Sequence, residues 1–142
     1  MRALLVRHAR AGKRAAWTDD DRLRPLDGKG RRQAKALAEI LAGLGTEGLL
    51  SSPYLRCVET LEPAAALLGS AVETRDELAE GASADSVIGL LDGLERSLPA
   101  LCTHGDVIDA LLPGRECKKG AVWLIELRSR RVQAVRYLRP PA

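Results

Sequence analysis

The sequence predicts an α/β fold: a three-layer α/β/α sandwich with a mainly parallel central sheet and an antiparallel strand pair at its C-terminal end. Two patterns lead there. Short, wholly apolar runs of strand length alternate with longer stretches in which apolar residues recur every three or four positions, as when helices cover a parallel sheet. The last two runs, 121–127 and 132–138, are separated only by a turn at Arg128 to Arg131, which suits antiparallel pairing and is too short for a crossover. A chain of 142 residues without repeats, linkers or low-complexity tracts suits one domain over 1–142.

The first strand covers 2–6. Its Leu4-Leu5-Val6 core lacks polar alternation, as in a strand buried on both faces. Residues 9–25 form a polar loop, long enough to suggest a functional role. Asp27 caps a helix over about 28–43 that presents Ala34, Leu37, Ala38 and Leu41 on one face, and Gly43 and Gly45 stop it. A second strand covers 48–51. Ser52 is placed to cap the next helix and Pro53 to begin it. That helix carries Val58, Leu61, Ala65 and Leu68 as its stripe, with a kink expected at Pro63. A short strand at 71–74 precedes a polar loop at 75–83. Ser83 caps a helix with Val87, Ile88, Leu91 and Leu94 inward. A strand at 98–103 is followed by a short helix at 106–112, with Ile108, Leu111 and Leu112 inward.

Composition excludes several function classes. Lys and Arg number 22 against 19 acidic residues, a formal charge of +3, which is too slight to indicate nucleic acid. No basic stretch is interleaved with aromatics, so no stacking platform for bases is expected. No apolar run is long enough for a signal peptide or a membrane span. Cys57, Cys102 and Cys117 are odd in number and form no C-x-x-C, so neither a disulfide framework nor a zinc site is expected. Reduced thiols in a cytoplasmic protein are the simplest reading. Cys57 reads as a small helix-face residue rather than a reactive thiol.

The chemistry-bearing residues sit at strand ends. The only two histidines, His8 and His104, each follow an apolar strand, and in parallel sheets ligands bind beyond the carboxyl ends of the strands. Arg7 beside His8, and Arg56 on the first turn after the second strand, offer planar donor forks suited to phosphate. A phosphomonoester needs a nucleophile, donors for its oxygens and an acid for its leaving group, and these side chains supply candidates for each. Lys13 and Trp17 are candidate substrate contacts. Arg14 reads as a solvated loop charge, and Asp19, Asp20 and Asp21 as loop ion pairs.

Leu5-Val6-Arg7-His8-Ala9 resembles the Arg-His-Gly signature of the histidine phosphatase superfamily, the phosphoglycerate-mutase-like branch. Four further stretches follow in that family's order: Leu26-Asp27-x-x-Gly30-x-x-Gln33-Ala34, Ser51-Ser52-Pro53-Tyr54-Leu55-Arg56-Cys57-x-x-Thr60, Leu78-Ala79-Glu80-Gly81 and Thr103-His104-Gly105. The resemblance implies a phosphatase working without metal or other cofactor. His8 would attack phosphorus and become a phosphohistidine, its ring held neutral by a backbone carbonyl on one nitrogen. Arg7, Arg56, His104 and Gly105 would bind the phosphoryl group. Glu80 would be the acid, favoured over Glu77 by the Leu-x-Glu spacing. Ala9 departs from the signature's glycine, a change a small residue should tolerate.

The trimmed length resembles the SixA-type phosphohistidine phosphatases and also the phosphatase-like domain that follows a Nudix domain in some proteins. The expected partner is therefore a phosphorylated small molecule or a phosphoprotein, with neither nucleic acid nor membrane involved. Oligomeric state is left open. Two alternatives stand beside this reading: a non-catalytic phosphate-binding regulatory module, and a mutase-type phosphotransferase, which would need a site closed against water.

Overall fold

The computed structural model describes all 142 residues, Met1–Ala142. Six strands form one sheet in the order β3-β2-β4-β1-β5-β6. They are β1 (Arg2–Arg7), β2 (Leu49–Ser51), β3 (Val72–Thr74), β4 (Ala100–Thr103), β5 (Val122–Arg128) and β6 (Arg131–Leu138). The helices are α1 (Gly28–Leu44), α2 (Leu55–Leu68), α3 (Ala84–Asp92) and α4 (Gly105–Leu111). The pairs β3–β2, β2–β4 and β4–β1 are parallel, while β5 is antiparallel to both β1 and β6. The expected C-terminal pair therefore extends the central sheet rather than standing apart. Its two-residue turn, Ser129-Arg130, has positive φ at both positions (49° and 60°), the twist a tight hairpin requires.

Strand alternation builds the three layers. Leu4 and Val6 face one side with Leu49, Ala100 and Cys102, packed against Leu37 and Leu41 of α1 and Leu61 of α2. Leu5 faces the other side with Leu50 and Leu101, packed against Val87 and Leu91 of α3 and Ile108 of α4. No helix is long and apolar enough to cross a membrane.

Three local expectations are corrected. Ser52 does not cap α2; Tyr54 holds that position, and the Ser52 hydroxyl accepts from the Tyr54 amide at 3.2 Å and meets His104 Nε2 at 2.8 Å. Pro63 is partly exposed, so the carbonyl it leaves unpaired on Glu59 can reach solvent. The buried stripe of α2 is turned toward Arg56, Cys57, Thr60, Leu61 and Ala64, because this face closes over a polar site as well as a core. On α3 the fully buried positions are Val87, Leu90 and Leu91; Ile88 and Leu94 only flank them, since the helix ends at Asp92.

The N-terminus of α1 grips the loop that leaves β1. The Asp27 carboxylate accepts from the Gly30 amide at 2.8 Å, capping the helix. The Asp27 amide donates to the Arg10 carbonyl at 3.1 Å, and the Gln33 side chain accepts from the Arg10 amide at 3.0 Å. A Cβ on Gly30 would collide with the Arg10 carbonyl. Gly30→Ala is therefore expected to destabilise the protein by about 3 kcal/mol, since backbone has no room to yield there. Thermal unfolding measures this; a variant as stable as wild type would refute the close approach.

Candidate active site

The site grows out of three adjacent strand ends. In the β1–β4 register Arg7 lies opposite Thr103, so the next residues, His8 and His104, emerge side by side. The His8 amide donates to the Thr103 carbonyl at 3.2 Å. The two imidazoles stand 5.5 Å apart, edge to face. On the other flank of β4, Ser51 lies opposite Cys102, and the Ser52 amide bonds the Cys102 carbonyl at 2.9 Å. Four residues on, the first turn of α2 delivers Arg56.

His8 is 6% exposed. Its Nδ1 lies 2.8 Å from the Ala9 carbonyl oxygen. A carbonyl only accepts, so Nδ1 carries the proton and Nε2 keeps its lone pair. Burial pulls the His8 pKa down to about 3, reinforced by Arg56, His104 and Arg7 and opposed by the Ala9 hydrogen bond. The ring is neutral at physiological pH. Ala9 is itself buried, and its amide donates to the Thr60 hydroxyl at 2.9 Å. Outside glycine, positive φ occurs only at Leu98, Ser129 and Arg130, so Ala9 needs no glycine conformation.

Donors surround this ring. Arg7 gives one N–H to the Cys117 carbonyl at 2.8 Å, while its buried Nε has no partner. His104 places Nε2 2.8 Å from the Ser52 hydroxyl and 3.6 Å from the Cys57 thiol, leaving its buried Nδ1 unpartnered. Hydroxyl and thiol can both donate to Nε2, and in that tautomer the unpartnered Nδ1 carries the proton. Arg56 is fully buried and its Nε is also unpartnered. Its outer nitrogens are occupied: one donates to the Asp21 carbonyl at 2.8 Å, the other lies 3.1 Å from the Asp21 carboxylate and 3.6 Å from Glu80.

A cleft of about 860 Å3 opens onto this point, and Arg7, His8, Lys13, Glu80, His104 and Gly105 all line it. Arg56 does not, because Asp21 covers it. Glu80 takes a 2.6 Å hydrogen bond from Arg14, which is therefore an ion-pair partner rather than a free loop charge. Glu77 pairs with Arg75 at 2.8 Å, outside the cleft. Trp17 also stays out of the cleft: its indole N–H donates to the Asp20 carbonyl at 2.8 Å, folding the loop on itself.

Gly105 has a tight reason to be glycine. A Cβ there would stand 2.8 Å from the Arg7 guanidinium carbon. The flat guanidinium lies directly on this backbone.

Sequence reading passed over two groups. Asp21, seen only as a loop ion pair, bridges three arginines: Arg24 at 2.9 Å, Arg56 at 3.1 Å and Arg14 at 3.6 Å. The stretch after α4 brings Arg115, Cys117 and Lys119 to the cleft. The paired lysines before Gly120 were its only signal.

The family model of the histidine phosphatase superfamily (branch 1) matches residues 3–85, more than half of the chain. The chain belongs to that superfamily. It is 34% identical to an 8-oxo-(d)GTP phosphatase of Mycolicibacterium smegmatis over 97% of its length, and spans about half (48%) of that curated relative. Among solved structures, the protein histidine phosphatase SixA complexed with tungstate superposes with a TM-score of 0.84 at 24% identity, covering 97% of this chain and 96% of that one. A phosphoserine phosphatase of Entamoeba histolytica, in complex with phosphoserine, gives 0.77 at 14%, covering 96% and 95%. At these identities the likeness speaks for the fold, and the two structures carry different substrate names.

Two outcomes follow from this geometry. The folded protein keeps His8 neutral down to about pH 3, whereas a free imidazole takes up its proton near 6.5. The unfolded chain thus binds the extra proton between those values, and stability falls as pH drops through that window. His8→Asn should flatten the stability–pH slope there by up to about 1.4 kcal/mol per pH unit, measured by denaturant titration against wild type. An unchanged slope would show that the ring titrates normally. Separately, Gly105→Ala should displace Arg7 and lower the affinity for orthophosphate by about tenfold, read by calorimetry.

Proposed function

We propose that the chain is one catalytic unit, a phosphomonoester phosphatase that works through a phosphohistidine on His8. The observation that carries this reading is the state of His8: buried, neutral, with Nδ1 held by the Ala9 carbonyl and Nε2 left as the nucleophilic atom. Nε2 attacks phosphorus, the N–P bond forms, and the bond to the leaving oxygen breaks. Glu80 gives that oxygen its proton. Water then attacks the phosphohistidine, Glu80 takes the water's proton, and the N–P bond breaks to release orthophosphate.

Three nitrogens without partners, Arg7 Nε, Arg56 Nε and His104 Nδ1, supply donors for charge that grows on the phosphoryl oxygens. Substrate also competes with Asp21 for the outer nitrogens of Arg56. Exchange of that carboxylate for a phosphoryl group couples binding to movement of loop 9–25. The steps need no metal. The named activity of the Mycolicibacterium smegmatis relative favours a small phosphorylated molecule, such as a nucleotide, over a phosphoprotein. Free Cys57, Cys102 and Cys117 suit a reducing, cytoplasmic setting.

The test is hydrolysis of an aryl phosphate with and without EDTA. Release should survive the chelator and fall by about 10³-fold or more in His8→Ala. Glu80→Gln should slow turnover by about 10²-fold, most on poor leaving groups, while Glu77→Gln stays near wild type. The reverse ranking would move the acid to Glu77. No release from a broad panel of phosphoesters would favour a binding module.

A further inference from the structure

The cleft is far larger than one phosphoryl group requires, and its extra lining is basic. Beyond Arg7, it is lined by Arg10, Lys13, Arg24, Arg115 and Lys119. Some of these charges are already neutralised. Arg10 pairs with Asp27 at 3.0 Å, and Arg24 with Asp21 at 2.9 Å. Lys13, Arg115 and Lys119 have no carboxylate within ion-pair distance, although all three face the same space. Glu116 beside them pairs with Lys118 instead, at 3.7 Å.

Lys119 is the best placed of the three. The amide of its neighbour Gly120 donates to the carbonyls of both Arg7 and His8, each at 3.1 Å. Gly120 has φ of +84°, and a Cβ there would press on Gln33 at 3.3 Å, so this turn is fixed in place. Lys119 is thereby tied one residue from the backbone of the proposed nucleophile. Its ammonium is held below the usual lysine value, first by burial and then by Arg7, Arg24 and Arg10, with Asp27 acting against them. Such a group of like charges repels itself until an anion enters. The remaining carboxylates of the cleft, Glu80, Asp106 and Asp109, come from the acid loop and α4. The Asp106 carboxylate is engaged by the Gly81 amide at 2.9 Å. Charge along the cleft is therefore uneven.

We propose that Lys119, with Lys13 and Arg115, forms a second anion subsite, and that the preferred substrate is a small molecule whose leaving group carries a second phosphoryl group. The subsite rests on the phosphatase reading for its role in turnover, but not for its affinity. Arg7 and His104 take the phosphoryl group to be transferred, and the Lys119 group takes the one that leaves with the product.

Calorimetry with wild-type protein tests the subsite without turnover, using methylenediphosphonate, which resists hydrolysis, against methylphosphonate. The diphosphonate should bind at least about tenfold tighter. Lys119→Ala should remove most of that advantage, and Lys119→Arg should restore it. Equal affinities in wild type, or the same proportional loss for both ligands in Lys119→Ala, would overturn the proposal. Kinetics then separates the ways a second phosphoryl group can be attached. A nucleoside 5′-diphosphate or a 3′,5′-bisphosphate should exceed the 5′-monophosphate in kcat/KM by about tenfold. Either winner supports the subsite and reports its spacing. A phosphohistidine protein hydrolysed best, with no preference among the nucleotides, overturns it. If no phosphoester turns over while the diphosphonate advantage stands, the phosphatase reading fails and the subsite remains.

Discussion

The pairing of β1 with β4 is the constraint on which the site depends. Both strands are buried on two faces and too short to slip without turning leucines toward the wrong layer. Their register puts Arg7 opposite Thr103 and so sets His8 beside His104. The flanking pair, β2 with β4, fixes Ser52 and the start of α2, and with it Arg56. Residues far apart in the chain meet because three parallel strands end at the same level. The sheet's apolar packing thus positions groups that repel one another.

That repulsion shapes the chemistry. Two arginines and two histidines share a small volume, one arginine fully buried. Burial above all, reinforced by this crowding, holds His8 neutral, which is what an attacking imidazole requires. The crowding also leaves positive charge that needs an answer when no phosphate is bound. Asp21 and Glu80 supply it, reaching in from loops rather than from the sheet. Loops can withdraw, while strand ends cannot. The groups that neutralise the site are thus carried by loops, while the groups they neutralise are fixed by the sheet.

Much of this was legible in the sequence. Apolar runs and caps located all six strands and four helices, since alternation and helical periodicity are local properties. The Arg-His, Ser-Ser-Pro, Leu-x-Glu and Thr-His-Gly stretches were readable because each lies at an element boundary. Other features were not. Ser52 has an ideal capping side chain and a proline after it, yet its hydroxyl serves a histidine 52 residues away. Trp17, a candidate substrate contact in the sequence, turns to its own loop instead. Glu77 and Glu80 lie three residues apart, yet Glu80 lines the cleft while Glu77 turns away to Arg75.

By itself, then, the sequence determined the layers, the strand ends and the residue types that crowd there. These follow from short-range rules of burial, capping and turn chemistry. Only the tertiary structure decided which charges meet. It set Asp21 on Arg56, laid Arg7 flat on Gly105, and brought Lys119 back beside His8 from more than a hundred residues away. Those contacts depend on how loops close over a finished sheet, and no local pattern encodes a distance between two loops.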